Sequence, residues 1–149
     1  MDMPTPEVPT VRLVYQAEVD IAPRQALGRG PGGDRFLVPI LGGRFDGPMG
    51  LRGIVLAGGA DRQLLRPDGI KELDALYEMQ ADDGTVITVR NRVLVDESRT
   101  PQRYARSVVH LSAPVDGPHA WINRRLFIGG LLSLRPQREA VRVLTYLVD

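Results

Sequence analysis

The chain has 149 residues, 43% hydrophobic and 25% charged, with 19 basic residues against 18 acidic ones and a net charge of +1. That balance suits one soluble globular domain. It argues against a nucleic-acid or membrane-surface binder, which needs a basic surplus. The lack of cysteine excludes disulfides, thiolate catalysis and zinc–sulfur sites. His110 and His119 are the only histidines and form no HxH or HxxxH pair, so neither a metal centre nor a cofactor is expected. No apolar run reaches the ~20 residues of a membrane helix. The opening MDMPTPEVPT has neither the basic start nor the apolar core of a signal peptide, and a cytoplasmic protein is the expectation.

In chain order, residues 1–9 carry three prolines and read as a flexible N-terminal arm. Residues 10–149 read as a single domain. Residues 10–20 alternate Val11, Leu13, Tyr15, Ala17 and Val19 with polar neighbours, a strand signal. Residues 23–34 are rich in Gly and Pro and read as a long loop. Residues 36–41 form a short apolar strand interrupted by Pro39, which suits an edge or a bulge. Residues 42–61 hold seven of the 16 glycines and read as loop, strand (51–57) and loop, ending at Asp61.

Residues 63–66 are a brief strand closed by the turn Pro67-Asp68-Gly69. Residues 70–92 read as a β-hairpin about Asp82-Asp83-Gly84, although Leu73, Leu76, Tyr77 and Gln80 would also line one helix face. Residues 104–112 alternate as a strand. Residues 119–129 read as a strand with Trp121, Asn123 and Phe127 on one face. Residues 141–148 close the chain. Eight to ten strands with short turns specify an all-β fold, and a barrel of about eight strands has room for one small ligand. The expected fold is a single antiparallel β-barrel with an internal ligand pocket.

The glycine-rich run carries a resemblance. Gly42-Gly43, Phe45, Gly47-Pro48, Leu51-Arg52-Gly53, Gly58-Gly59-Ala60-Asp61 and Gln63 resemble a bacterial and fungal family, the domain of unknown function numbered 3237. Asp68-Gly69, Leu73-Asp74-Ala75, Tyr77, Asp83-Gly84, Arg90-Asn91, Ala120-Trp121, Asn123-Arg124 and Phe127 continue the match. Arg62 departs from the aromatic residue usual after the motif aspartate, and Arg92 from a usual glycine. The resemblance implies a lipocalin-like barrel, often dimeric, and no particular chemistry.

Asp61 is the leading candidate for catalysis. A carboxylate beside a glycine turn at a strand end can be desolvated and poised as a general base or acid; the competing reading has it capping the turn through backbone amides. Tyr77 shares the apolar face of Leu73, Ala75 and Met79 and can donate to a substrate oxygen. Asn123 can hydrogen-bond a developing oxyanion. Arg44, Gln63, Asn91 and Trp121 complete the expected substrate contacts. Asp74 has the opposite parity to Tyr77 and is expected to pair with an arginine.

Two functions compete. The first is a cofactor-independent enzyme performing acid–base chemistry (isomerisation, cyclisation, or addition and elimination of water) on a small hydrophobic carbonyl, phenolic or polyketide-like compound. The second is a non-catalytic binder of a small hydrophobic or aromatic molecule. A purely structural role through exposed strand edges is a third reading. The expected partners are that small molecule and a second copy in a homodimer, with neither nucleic acid nor membrane.

Overall fold

The structure is a computed structural model that describes residues 1–99 and 101–149. Its ten strands are β1 (Val11–Ile21), β2 (Gln25–Gly30), β3 (Gly33–Asp46), β4 (Gly53–Val55), β5 (Ala60–Leu65), β6 (Lys71–Ala81), β7 (Val86–Asp96), β8 (Tyr104–Ser112), β9 (Phe127–Ser133) and β10 (Ala140–Val148). All pairings are antiparallel, and they run β1-β10-β9-β8-β7-β6-β4-β3 before β3 returns to β1 and closes the barrel. β4 and β5 occupy one position in succession between β3 and β6. β2 continues beyond the end of β1 and pairs with the first half of β3. Ten strands thus fill eight positions of a closed barrel. No helix among the described residues is long and apolar enough to cross a membrane.

Alternation drives the closure. Along β7 the odd-numbered residues Ile87, Val89, Asn91, Val93 and Val95 are buried, and along β8 so are Ala105, Ser107, Val109 and Leu111. Their neighbours face solvent, as a pleated sheet with one wet face requires. The hairpin expected over residues 70–92 is β6–β7, paired from Lys71↔Val95 to Gln80↔Val86.

Three expectations change. The loop over residues 23–34 is largely strand: β2 and β3 form a hairpin with a bulge at Gly28, whose φ of 89° only glycine adopts readily, and Arg35 donates to the carbonyls of Leu27 and Gly28. Gly42 and Gly43 lie inside the 14-residue β3 rather than in a loop. There the barrel turns a corner against β1, and a Cβ on Gly43 would stand 2.0 Å from the Glu18 carbonyl oxygen. Finally, residues 119–129 are not one strand. Ala120–Arg124 form a 3-10 helix, and the chain re-enters the sheet only at Phe127. The turn after Pro114 runs on into i→i+3 bonds, Gly117 to Pro114, Ala120 to Gly117 and Ile122 to His119.

That helix closes one end of the barrel. Ile122 and Leu51, each 1% exposed, plug the lumen against Phe127, Met79 and Ile87. Each plugging side chain contributes roughly 1.5–3 kcal/mol by burial. The opposite end carries the β2–β3 hairpin and the β5–β6, β7–β8 and β9–β10 connections, and it stays open over a cavity. Residues 1–10 are exposed and carry no regular structure.

Candidate functional site

The open end leads into a lumen of about 380 Å³, the size of a small-molecule site with room for about a dozen waters. Its walls are Val19, Val38, Ile40, Leu73, Val93 and Val143, the inward residues of successive strands. Set into these walls are Asp61, Gln63, Tyr77 and Asn91.

β-strand parity places them. On β5, Asp61 and Gln63 line the lumen and the exposed Arg62 turns out. Register then aligns Asp61 with Ala75 of β6, and Ala75 with Asn91 of β7. Asp61 and Asn91 therefore stand two strand spacings apart, about 10 Å between backbones. Ala75 lies between them, and all three residues line one stretch of the lumen wall. Tyr77 follows Ala75 by two residues and points the same way, deeper in the barrel. Gly59 makes room for it: a Cβ there would sit 2.4 Å from Tyr77 Cβ.

Asp61 is half-satisfied. Gln63 Nε2 donates to its Oδ2 at 2.8 Å, while Oδ1 is buried without a partner. Burial pushes the carboxyl up to about 6, the Gln63 amide and the backbone N–H of Asp74 oppose that rise, and the Asp74 charge adds to it. Burial also holds the Tyr77 phenol well above its ordinary value, with Tyr15 and Asp61 nearby acting in the same direction. Tyr77 is therefore a permanent donor at neutral pH.

Among the described residues, six buried side-chain atoms have no hydrogen-bond partner: Tyr15 Oη, Asp61 Oδ1, Tyr77 Oη, Asn91 Oδ1, Ser107 Oγ and Thr145 Oγ1. A buried polar group without a partner costs about 1–3 kcal/mol, so each of these positions calls for a partner. Asp61, Tyr77 and Asn91 face the cavity. Ser107, Thr145 and Tyr15 lie on one level around the barrel, through the register Ser107↔Gly129↔Thr145↔Tyr15.

The other expected contacts lie elsewhere. Asn123 is exposed on the 3-10 helix at the closed end, where Nδ2 donates to the Ala113 carbonyl at 2.9 Å and Oδ1 accepts from the Ala113 N–H at 2.8 Å. It clamps a loop and does not reach the lumen, because the helix breaks the strand parity that would have turned it inward. Trp121, on the same helix, is half-buried against Phe127 with ring centroids 6.2 Å apart and does not line the lumen. Arg44 lies on the outer face of β3, 77% exposed at its side chain, and pairs with Glu18 at 3.3 Å. Asp74 faces outward and takes two hydrogen bonds from Arg90, at 3.0 and 3.1 Å.

Four lumen residues were not anticipated: Arg24, Lys71, Arg103 and Arg135, all at the open end. Lys71 shares parity with Leu73 and Tyr77, which was a usable signal. The three arginines sit in connections, where no periodicity reveals direction.

A "UPF0311 protein" from Rhodopseudomonas palustris is 39% identical over 87 residues, 58% of this chain and 56% of that protein. The match therefore spans just over half the length of this relative. A conserved protein of unknown function from the same species has the same fold, with a TM-score of 0.85 at 27% identity over 97% of this chain and all of the other. A structure described as an enzyme from Penicillium herquei aligns over all of this chain and 99% of its own, with a TM-score of 0.75 at 21% identity. The profile of the family described as "Protein of unknown function (DUF3237)" matches residues 9–148, and the chain belongs to that family.

Proposed function

We propose that the lumen is the active site of a cofactor-independent enzyme that moves a proton on a small, largely apolar carbonyl or phenolic compound. One observation carries this reading: Asp61 lines an apolar cavity with one buried carboxylate oxygen left without a partner and a carboxyl pKa raised to about 6. Such a group is ionised at neutral pH yet basic enough to accept a proton. In the proposed step a C–H bond next to the carbonyl breaks and its proton passes to the Asp61 carboxylate. The electron pair moves to the carbonyl oxygen, where Tyr77 donates its O–H to the developing oxyanion. Asn91 takes the hydrogen bond to the developing oxyanion that the sequence suggested for Asn123. Return of the proton to another carbon completes an isomerisation, and loss of a β-substituent completes an elimination. That the fold is shared with a protein described as an enzyme supports a catalytic barrel without indicating the reaction.

The test is deuterium wash-in. 2-Tetralone, a bicyclic ketone with acidic α-hydrogens, is incubated with the protein in D2O and followed by proton NMR. Exchange faster than buffer, lost in Asp61→Asn, is the expected result. Binding of the ketone without catalysed exchange would overturn the catalytic reading. It would leave the second one, a carrier of small hydrophobic molecules, which the aliphatic walls also favour. The proposal includes a homodimer: Val108 and Ile128, 66% and 40% exposed, are cross-strand partners on the outer face of β8 and β9. Light scattering on the purified protein tests it.

A further inference from the structure

The mouth of the lumen is lined by basic side chains. Arg24, Lys71, Arg103 and Arg135 line its wall, and among the described residues Asp61 is the only acid that does. The two ends of the cavity are well separated. Asp61 is level with Ala75 and Lys71 is level with Leu65, four residues further along the same pair of strands. That is ~13 Å along the barrel wall. The lumen therefore runs from a basic mouth to an acidic depth between aliphatic walls.

Neighbouring acids compensate part of the basic charge. Glu97 accepts from Lys71 at 3.0 Å and from Arg103 at 3.5 Å, and Glu139 pairs with Arg135. Arg24 has no carboxylate partner among the described residues. Its guanidinium carbon lies 3.8 Å from the centroid of the Phe36 ring, which fixes the plane of the group without neutralising it. A planar guanidinium held on an aromatic face and left uncompensated is built to receive a carboxylate through two parallel hydrogen bonds.

Resting on the reading of the lumen as the ligand site, we infer that its ligand is an organic carboxylate with an apolar body, seated with the carboxylate at Arg24 and the body directed toward Asp61 and Tyr77. The ionised Asp61 repels a carboxylate from the deep end, so the same charge pattern sets the ligand's direction. The atoms beside the base then belong to the end of the ligand remote from its carboxylate.

The experiment is a competition against N-phenyl-1-naphthylamine, a neutral dye that fluoresces in apolar cavities. 2-Naphthoate and 2-naphthamide have nearly the same shape and differ in charge. At pH 7.5 and low salt, naphthoate is expected to displace the dye at about a tenth of the naphthamide concentration, the effect of one charge-assisted contact. In Arg24→Gln the preference falls below about threefold, while dye affinity, set by the walls, stays within about twofold. Added salt weakens the preference, because the mouth is open to solvent. Equal displacement by the two compounds, or a preference that Arg24→Gln leaves unchanged, overturns the inference and leaves the lumen as a ligand site. Failure of the dye to bind at all overturns both.

Discussion

Gln63 donates its side-chain amide to one oxygen of Asp61 at 2.8 Å and leaves the other oxygen buried without a partner in the lumen wall. The Gln63 amide and the Asp74 backbone N–H do not repay the burial of a full charge, so the carboxyl is held at about 6. The protein carries this cost only where Asp61 is ionised. A carboxyl with a folded pKa above its unfolded value of 3.8 is destabilising above about pH 6 and neutral in effect below 3.8. Asp61→Asn should therefore gain stability on the order of 3 kcal/mol over the wild type between pH 3.5 and 7.5. Urea unfolding of both proteins at the two pH values measures this. A difference that does not change with pH would contradict the burial of the charge.

Tyr77 makes the complementary point. Its hydroxyl is buried and unpartnered, so deleting it removes a desolvation cost and no bond. Tyr77→Phe should melt at or above the wild-type temperature and still lose about tenfold or more in catalysed exchange of 2-tetralone, as expected for a lost oxyanion donor. Melting and exchange assays on the same preparation check both halves. A variant that is destabilised and fully active would reassign Tyr77 to the core.

The two asparagines should separate cleanly. Asn123 makes two hydrogen bonds to Ala113 and none to the lumen, so Asn123→Ala should cost about 1–2 kcal/mol of stability with unchanged dye binding. Asn91 is 3% exposed and its carbonyl oxygen has no partner. Asn91→Leu should leave stability within about 1 kcal/mol and abolish exchange. Denaturation and exchange assays on the two variants read the contrast.

Gly43 tests the corner of the barrel. Its φ is 147°, and an added Cβ would meet the Glu18 carbonyl at 2.0 Å, a backbone atom that cannot step aside. Gly43→Ala should cost about 2–4 kcal/mol by strain and displaced pairing between β1 and β3. Gly84→Ala is the control, since its φ is also positive, at 90°, but nothing lies within 4 Å. It should cost clearly less in the same unfolding measurement.

Much of the barrel was legible because period two survives wherever a strand has one wet face. β6, β7 and β8 follow their alternation from end to end. Parity also turned Tyr77 toward the lumen, and the glycine turn before Asp61 marked that carboxylate. It failed where glycine hides direction. Gly42 and Gly43 read as a loop because they have no side chain to alternate, yet both stay paired to β1 and Gly43 also to β4. It failed again at Trp121 and Asn123, where two residues of matching spacing suggested a strand and a 3-10 turn was built instead. The basic mouth comes mostly from connections, and only closure of the barrel brings Arg24, Arg103 and Arg135 to one rim.

The most direct measurement is a carbon-13 NMR titration of the Asp61 carboxyl, with and without the naphthylamine dye in the lumen. A midpoint near 6 in the free protein, moved further upward when the dye dries the cavity, is the predicted result. A midpoint in the ordinary carboxylate range that the dye does not move would mean that Asp61 looks into water, and the account of the site would fail.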